Sequence, residues 1–228
     1  MSKLHIATPM YGGNCTAGYA SSMLNLASLL SYEHNFVTNE SLVTRARNML
    51  THNFLSTDCT HLLFIDADVA FDPHGVVKMI ESGLPLIGGL YAKKYINWNR
   101  VSVAATHGVT AEKLHSFACD YYVRGDVEVG SDKPVEVLSV GTGLMMIKRE
   151  VFESLKSDTS ISKLGSTVVG QIQASDDIYH FFDTGVDATT GEFLSEDYAF
   201  CQRWRAKGGK VYAAPWVHTV HIGTHHFY

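Results

Sequence analysis

Apolar positions in the first ninety residues alternate between two periods. KLHIATP and HNFVTN are short strand-like runs, and THLLFIDAD contains the unbroken apolar stretch LLFI, as expected of a strand buried on both faces. Between them, AGYASSMLNLASLL places Met23, Leu26, Leu29 and Leu30 close to helical spacing. SLVTRARNMLTHNFL predicts a second helix, with Asn39 or Ser41 as its N-cap. PHGVVKMIESG opens with Pro in a helix's first turn and closes with Gly just past its last, and LPLIGGLY follows as a fourth strand. Strands alternating with helices predict an α/β domain with a largely parallel sheet.

The second half is less regular. VSVAAT and PVEVLSV read as strands, GLMMIKREVFESL as a strand turning into a helix, and IYHFFDTG as another strand. Ser157 to Asp177 shows no period and reads as a long surface segment, of the kind that serves as a lid or binding loop. SEDYAFCQRWRAKGG predicts a helix with Ser195 as N-cap and two glycines as its stop. KVYAAP is a last strand before the polar, His-rich tail WVHTVHIGTHHFY. No repeat or linker divides the 228 residues, which fit one domain.

Composition narrows the function. The chain is 46% hydrophobic and 18% charged with a formal charge of −5, so the basic surface of a general nucleic-acid binder is not indicated. The start, MSKLHIATPMYGG, breaks at Pro9 and lacks signal-peptide character, and no apolar run approaches the length of a membrane span. Cys15, Cys59, Cys119 and Cys201 have no CxxC spacing, which fits a soluble, cytoplasmic protein with reduced thiols.

Five groups of residues carry candidate chemistry. Asp66 and Asp68 flank Ala67 at the carboxyl end of the third strand, where open α/β sheets bind ligands. A strand's period of two puts both carboxylates on one side, where their repulsion calls for a cation, and hard oxygen ligands suit Mg²⁺ or Mn²⁺. A solvated turn with an Asp helix cap is the alternative. Gly141, Thr142 and Gly143 offer backbone amides and a hydroxyl without a Cβ in the way, or else a tight turn between strands. Glu196 and Asp197 occupy the first turn of a helix, favoured by its dipole or placed as a general base. The tail offers His218, His221, His225 and His226 as metal ligands, of which His221 stands out before Ile222 and Gly223. Arg45 and Arg47 lie about 200° apart around their helix, so one at most can meet a pyrophosphate.

Taken in order, TPMYGG, FIDADV, VGTGLMMI, SEDYAFCQRW and VHIG resemble the succession of elements in GT-A glycosyltransferases, over nearly the whole chain. In that superfamily they are the nucleotide-binding first strand, the DXD motif, the glycine loop, the xED motif and a C-terminal histidine. The compact size and the RARN helix also resemble small glycosyltransferases of large DNA viruses and phages, which would place the protein in the host cytoplasm. The resemblance implies a Rossmann-like single domain over 1–228. Residues 1–100 would form the nucleotide-binding half and 101–228 the acceptor-side half. It implies transfer of a hexosyl or deoxyhexosyl group from a nucleotide-sugar, UDP-linked by preference, to a glycan or glycoconjugate hydroxyl. Mn²⁺ or Mg²⁺ would be held by Asp66, Asp68 and His221. Thr8, Pro9 and Tyr11 would line the nucleoside pocket, Arg45 would reach base or phosphates, and Ala67 and Gly141 to Gly143 would border the donor. Asp197 would be the base, with Glu196 beside it, in an inverting enzyme. An acidic residue for a uracil imide is not evident after the second strand, where Glu40 is the nearest candidate.

Two other classes remain. A nucleotidyltransferase shares paired aspartates on an α/β frame but calls for a basic, glycine-rich turn after the first strand, and TPMYGGN has no Lys or Arg. A carbohydrate-binding module would hold Ca²⁺ on Asp66 and Asp68 and stack sugars on Trp98, Trp204 or Trp216. The α/β alternation disfavours it, since such modules are mostly antiparallel.

Overall fold

The alternation of the first ninety residues becomes one half of a seven-stranded sheet. The structure, a computed structural model, describes residues 2–158, 160–164, 167–169, 172–174 and 178–224. In chain order the early elements are β1 (Leu4–Met10), α1 (Ala17–Leu29), β2 (Tyr32–Thr38), α2 (Val43–Leu55), β3 (His61–Ile65), β4 (Val69–Phe71), α3 (Pro73–Glu81) and β5 (Leu86–Gly89). There follow α4 (Trp98–Thr106), α5 (Ala111–Leu114), β6 (Val123–Arg124), β7 (Val135–Val137), β8 (Ser139–Val140), β9 (Leu144–Lys148) and α6 (Arg149–Leu155). Short ribbons pair β10 (Lys163–Leu164) with β13 (Ile178–Tyr179), β11 (Thr167–Val169) with β12 (Ile172–Ala174), and β14 (Gly185–Val186) with β15 (Phe193–Leu194). The chain closes with α7 (Glu196–Ala206), β16 (Val211–Ala214) and β17 (Thr219–His221).

The sheet order is β2-β1-β3-β9-β5-β16-β7. β9 and β7 run against the others, so the sheet is mixed and mainly parallel. Alternation along β3 divides the core in two. Leu62 and Phe64 face a layer formed by α2, α6 and α7, with Phe54, Phe152, Phe182 and Phe200. Leu63 and Ile65 face α1 and α3, with Met23, Leu26, Val76 and Met79. Phe182 stacks on Phe200 at 4.5 Å and meets Phe64 edge-on at 5.2 Å. Such pairs add about 0.5–1.5 kcal/mol each beyond their buried area.

Local chemistry starts the helices. Thr16 caps α1 by accepting from the Tyr19 amide at 3.2 Å. Asp72 caps α3 through the amides of His74 and Gly75, with Pro73 at the first turn as predicted. At α2 neither Asn39 nor Ser41 is the cap. Leu42 holds that position, and the Glu40 carboxylate accepts from its amide at 2.9 Å. Ser195 does hold the N-cap position of α7, but its hydroxyl donates to Asp197 instead of accepting from a helix amide.

Three strand expectations change. VSVAAT lies in the helix α4, started by Asn97, whose side chain accepts from the Arg100 amide at 3.1 Å. PVEVLSV divides at Leu138 because β7 pairs with β16 while β8 pairs with β6. IYHFFDTG is not one strand: Ile178 and Tyr179 form β13, Phe181 and Phe182 then turn into the core, and Gly185 opens β14. The described part of 157–177 contains the short strands β10, β11 and β12, elements too brief to leave a period in the sequence.

Candidate active site

β3 ends at Ile65, and Asp66, Ala67 and Asp68 form a turn into β4, closed by the Val69 amide donating to the Asp66 carbonyl at 3.0 Å. Strand alternation therefore stops one residue short of the pair, and the two carboxylates part company. Asp66 meets Arg47, whereas Asp68 meets His221 and Lys94. Three segments hold the turn's backbone. The Asp66 amide donates to the Gly143 carbonyl (3.1 Å), Thr16 donates its amide to the Ala67 carbonyl (2.9 Å), and Ile222 donates its amide to the Asp68 carbonyl (2.9 Å). The start of α1, the glycine loop and the end of β17 thus meet at one turn.

A cleft of about 480 Å³ opens there, beyond the carboxyl ends of β1 and β3. Pro9, Tyr11, Glu40, Arg47, the Asp66–Asp68 turn and His221 are among its walls. Thr8 lies behind them, fully buried, its hydroxyl joined to that of Tyr19 (2.7 Å) and to Nε2 of His34 (3.2 Å). Arg45 makes a two-point pair with Glu40, Nε to Oε2 at 2.7 Å and Nη2 to Oε1 at 2.8 Å. The helical rotation allowed one of the two arginines to face the cleft, and Arg47 is that one.

Arg47 is buried, with its guanidinium over the Phe64 ring. Its Nη2 donates to Asp66 (3.0 Å) and its Nε to Glu196 (3.1 Å), so one cation joins the end of β3 to the start of α7. Burial opposes its charge, but the two carboxylates outweigh burial and raise its pKa. Its Nη1 is buried and has no hydrogen-bond partner among the described residues. Asp197, beside Glu196, is buried too. Burial and the Glu196 charge raise its pKa, against the opposing effects of the Ser195 hydroxyl, Arg47 and the Tyr198 amide.

β17 pairs antiparallel with β4 and sets His221 opposite Val69, next to Asp68. Nδ1 of His221 lies 2.6 Å from the Ala92 carbonyl, an acceptor, so Nδ1 carries the hydrogen. Nε2 then faces Oδ1 of Asp68 at 3.4 Å. Two lone-pair atoms so placed need a proton or a cation between them, and a fixed Nδ1–H donor is the arrangement that orients a metal-binding imidazole. Asp68 and His221 therefore fit a divalent cation as two ligands. Among the described residues, Asp66 does not join them in a three-ligand group. Burial would raise the Asp68 carboxyl, but with a proton in place of a metal on Nε2 the His221 imidazolium donates to it, and together with the Lys94 ammonium it holds the carboxyl at about 2.

The glycine loop, between β8 and β9, makes room for protein. A Cβ on Gly141 would fall 2.2 Å from the Tyr91 hydroxyl, and one on Gly143 would fall 2.5 Å from the ring. The Gly143 amide donates to the Tyr91 hydroxyl (3.0 Å) and the Gly141 amide to the Tyr122 carbonyl (2.9 Å), while Thr142 is buried. Tyr91 stacks on Tyr122 at 4.9 Å and meets His221 edge-on at 5.3 Å, so the loop supports the histidine through a tyrosine. Gly143→Ala is expected to cost about 1–3 kcal/mol in urea unfolding. Combined with Tyr91→Ala it should cost less than the sum of the two, because the clash is then gone.

Tyr91 and Lys94 were not singled out in the sequence. Their signal was available: YAKK follows LPLIGGL at a strand's carboxyl end, as DAD follows LLFI. His218 is exposed and contributes its backbone carbonyl to the Asp72 amide, while His225 and His226 lie outside the described residues. Trp204 and Trp216 pack against the core, whereas Trp98 is exposed.

A mixed, mainly parallel sheet flanked by helices, with this turn at the end of its third strand, is the architecture of the GT-A fold. Among solved structures the chain is similar to A197 from STIV, with a TM-score of 0.56 and 18% identity over 98% of this chain and 87% of that one. It is also similar to GalNAc-T7, solved with UDP, GalNAc and Mn²⁺, with a TM-score of 0.49 and 10% identity over 98% of this chain and 44% of that one. A glycosyltransferase involved in glycosylation of the major capsid of PBCV-1 aligns with a TM-score of 0.33 and 10% identity, over 69% of this chain and 68% of that one. At these identities the likeness is one of fold. No family model matches the chain, and no curated protein matches it in sequence. Among the described residues no helix is long and apolar enough to cross a membrane.

Proposed function

We propose that the chain is a metal-dependent glycosyltransferase. It moves a sugar from a nucleoside diphosphate, UDP being the favoured carrier, to a hydroxyl of a glycan or glycoconjugate. The observation that carries this reading is the facing pair of Asp68 and His221 on the same cleft wall as the buried Arg47. Pro9 and Tyr11 would flank the nucleoside, with Thr8 bracing the wall and the Glu40–Arg45 pair at its rim. Arg47, buried at the cleft wall, would lend its charge to diphosphate oxygens. A divalent ion on Asp68 and His221, with Asp66 beside them, would stabilise the charge that grows on the departing diphosphate.

On the other side of His221 a second cleft, about 360 Å³ and bordered by Lys93, Tyr95 and Trp98, suits an acceptor sugar. Asp197 would take the proton from the attacking hydroxyl. A carboxyl whose pKa is raised by burial is a better base than a solvated one, provided the pH exceeds that pKa.

The test is to incubate the protein with Mn²⁺ and a panel of nucleotide-sugars and to measure released nucleoside diphosphate. Release from one donor class, lost in EDTA and restored by Mn²⁺, is expected. Binding of free sugar without release from any donor would instead make the chain a carbohydrate-binding module. Asp197→Asn should lower kcat about 10²–10⁴-fold with little change in donor KM. The wild-type rate should fall on the acid side at a pH above the ordinary carboxyl value of 3.8, because protonation removes the base. A large rise in donor KM would make Asp197 a positioning residue.

A further inference from the structure

We propose that His5, Glu33 and Cys59 form a second metal site, for Zn²⁺ or a similarly thiophilic divalent cation, at the amino-terminal edge of the sheet. Their ligand atoms all lie within 4.8 Å of one another. His5 and Glu33 sit side by side in the register of β1 and β2, and Cys59 lies in the loop that enters β3. The strongest sign is His5 itself. It is 1% exposed, and neither of its ring nitrogens has a hydrogen-bond partner among the described residues.

A buried imidazole with two idle nitrogens is costly, by about 1–3 kcal/mol for each unmet polar group. Its edge-on packing against Phe54, at 5.8 Å, explains the burial and leaves the nitrogens unexplained. Nδ1 stands 3.6 Å from Oε2 of Glu33, too far for a hydrogen bond. It is the right separation for two ligands of one ion, since tetrahedral zinc with ordinary bond lengths spaces its ligand atoms by ~3.3–3.8 Å.

The donor set points to the ion. Imidazole, thiolate and carboxylate together suit zinc better than the oxygen-seeking Mg²⁺ or Ca²⁺. Glu33 is half-exposed, which supplies an entry path and a place for water as fourth ligand. Arg149 and Lys3 are nearby cations that would oppose binding, and Lys3 is paired with Asp58. The Arg149 guanidinium is engaged by the carbonyls of Phe54, Leu55, Thr57 and Cys59, which leaves the three ligands to the metal.

The site is separate from the cleft. Four residues of β1 lie between His5 and Met10 at the cleft rim, and the rise from one to the other is ~16 Å of extended strand. An ion there would tie β1, β2 and the loop before β3 together, so its role is to stabilise the sheet edge.

The test uses the full chain, stripped of metal, carrying Asp68→Ala so that the cleft does not compete. Co²⁺ should bind with a near-ultraviolet thiolate-to-cobalt absorption band, and Zn²⁺ should displace it one for one and raise the melting temperature. Cys59→Ser should abolish the band, whereas Cys15→Ser should keep it. Glu33→Gln, a substitution at the exposed ligand that leaves the core untouched, should weaken Zn²⁺ binding at least tenfold. Absence of the band, its survival in Cys59→Ser, or unchanged Zn²⁺ affinity in Glu33→Gln would overturn the proposal.

Discussion

Asp68→Ala is expected to lower sugar transfer about a thousandfold while the protein remains folded. Metal assistance to a leaving phosphate supplies several kcal/mol of transition-state stabilisation, and about 4 kcal/mol is three decades in rate. The same carboxylate contributes little to the fold. Its side chain is 37% exposed, its partner Lys94 is 39% exposed, and an ion pair so open to water is worth ~1 kcal/mol at most. Because the Asp68 pKa is depressed to about 2, its contribution to stability is full above the ordinary carboxyl range and fades only as the pH falls toward that value. Activity and urea unfolding, measured on the same preparation, separate the two effects. A variant that unfolds normally and transfers sugar at the wild-type rate would remove Asp68 from the ligand set.

Arg47→Met is expected to show the opposite balance, with a loss of about 3 kcal/mol in unfolding free energy as well as loss of donor binding. The guanidinium is the shared partner of Asp66 and Glu196, and removing it leaves two carboxylates facing each other without a cation. Breaking a buried pair by deleting one member costs ~3–5 kcal/mol, and the partial exposure of Asp66 places this case at the lower end. The measurement is a urea midpoint with unchanged slope. A loss below about 1 kcal/mol would mean that the carboxylates find water once the arginine is gone. Asp66→Asn with Glu196→Gln in the Arg47→Met background should recover part of the loss, since no uncompensated charge then remains.

The sheet and its parallel half were legible because burial on both faces leaves an apolar run such as LLFI, which no exposed element carries. The errors came where a local pattern has two solutions. VSVAAT alternates over too few residues to separate strand from helix, and the deciding residue, the Asn97 cap, lies outside the stretch. Alternation carried beyond Ile65 put Asp66 and Asp68 on one side, but periodicity ends where the ladder ends. The helix wheel said that Arg45 and Arg47 could not both face the cleft, and it could not say which would, because that depends on where Asp66 and Glu196 lie. Gly141 and Gly143 leave two readings open in the sequence, bare backbone for a ligand or a tight turn between strands. Both amides are met from within, by Tyr91 and by the backbone of Tyr122, and a bare backbone does not announce what approaches it. Lys94 reaches Asp68 from a different strand end, a contact that no short window contains.

The pairing of β17 with β4 has a consequence for biosynthesis. The two strands that bring His221 to Asp68 are separated by residues 72–218, and the Ile222 amide closes the turn from the same late segment. A growing chain can complete its early strands and still lack the histidine that faces Asp68. Competence for metal at the cleft should therefore appear late and all at once, when the last strand docks, so that a truncated or stalled product would lack it.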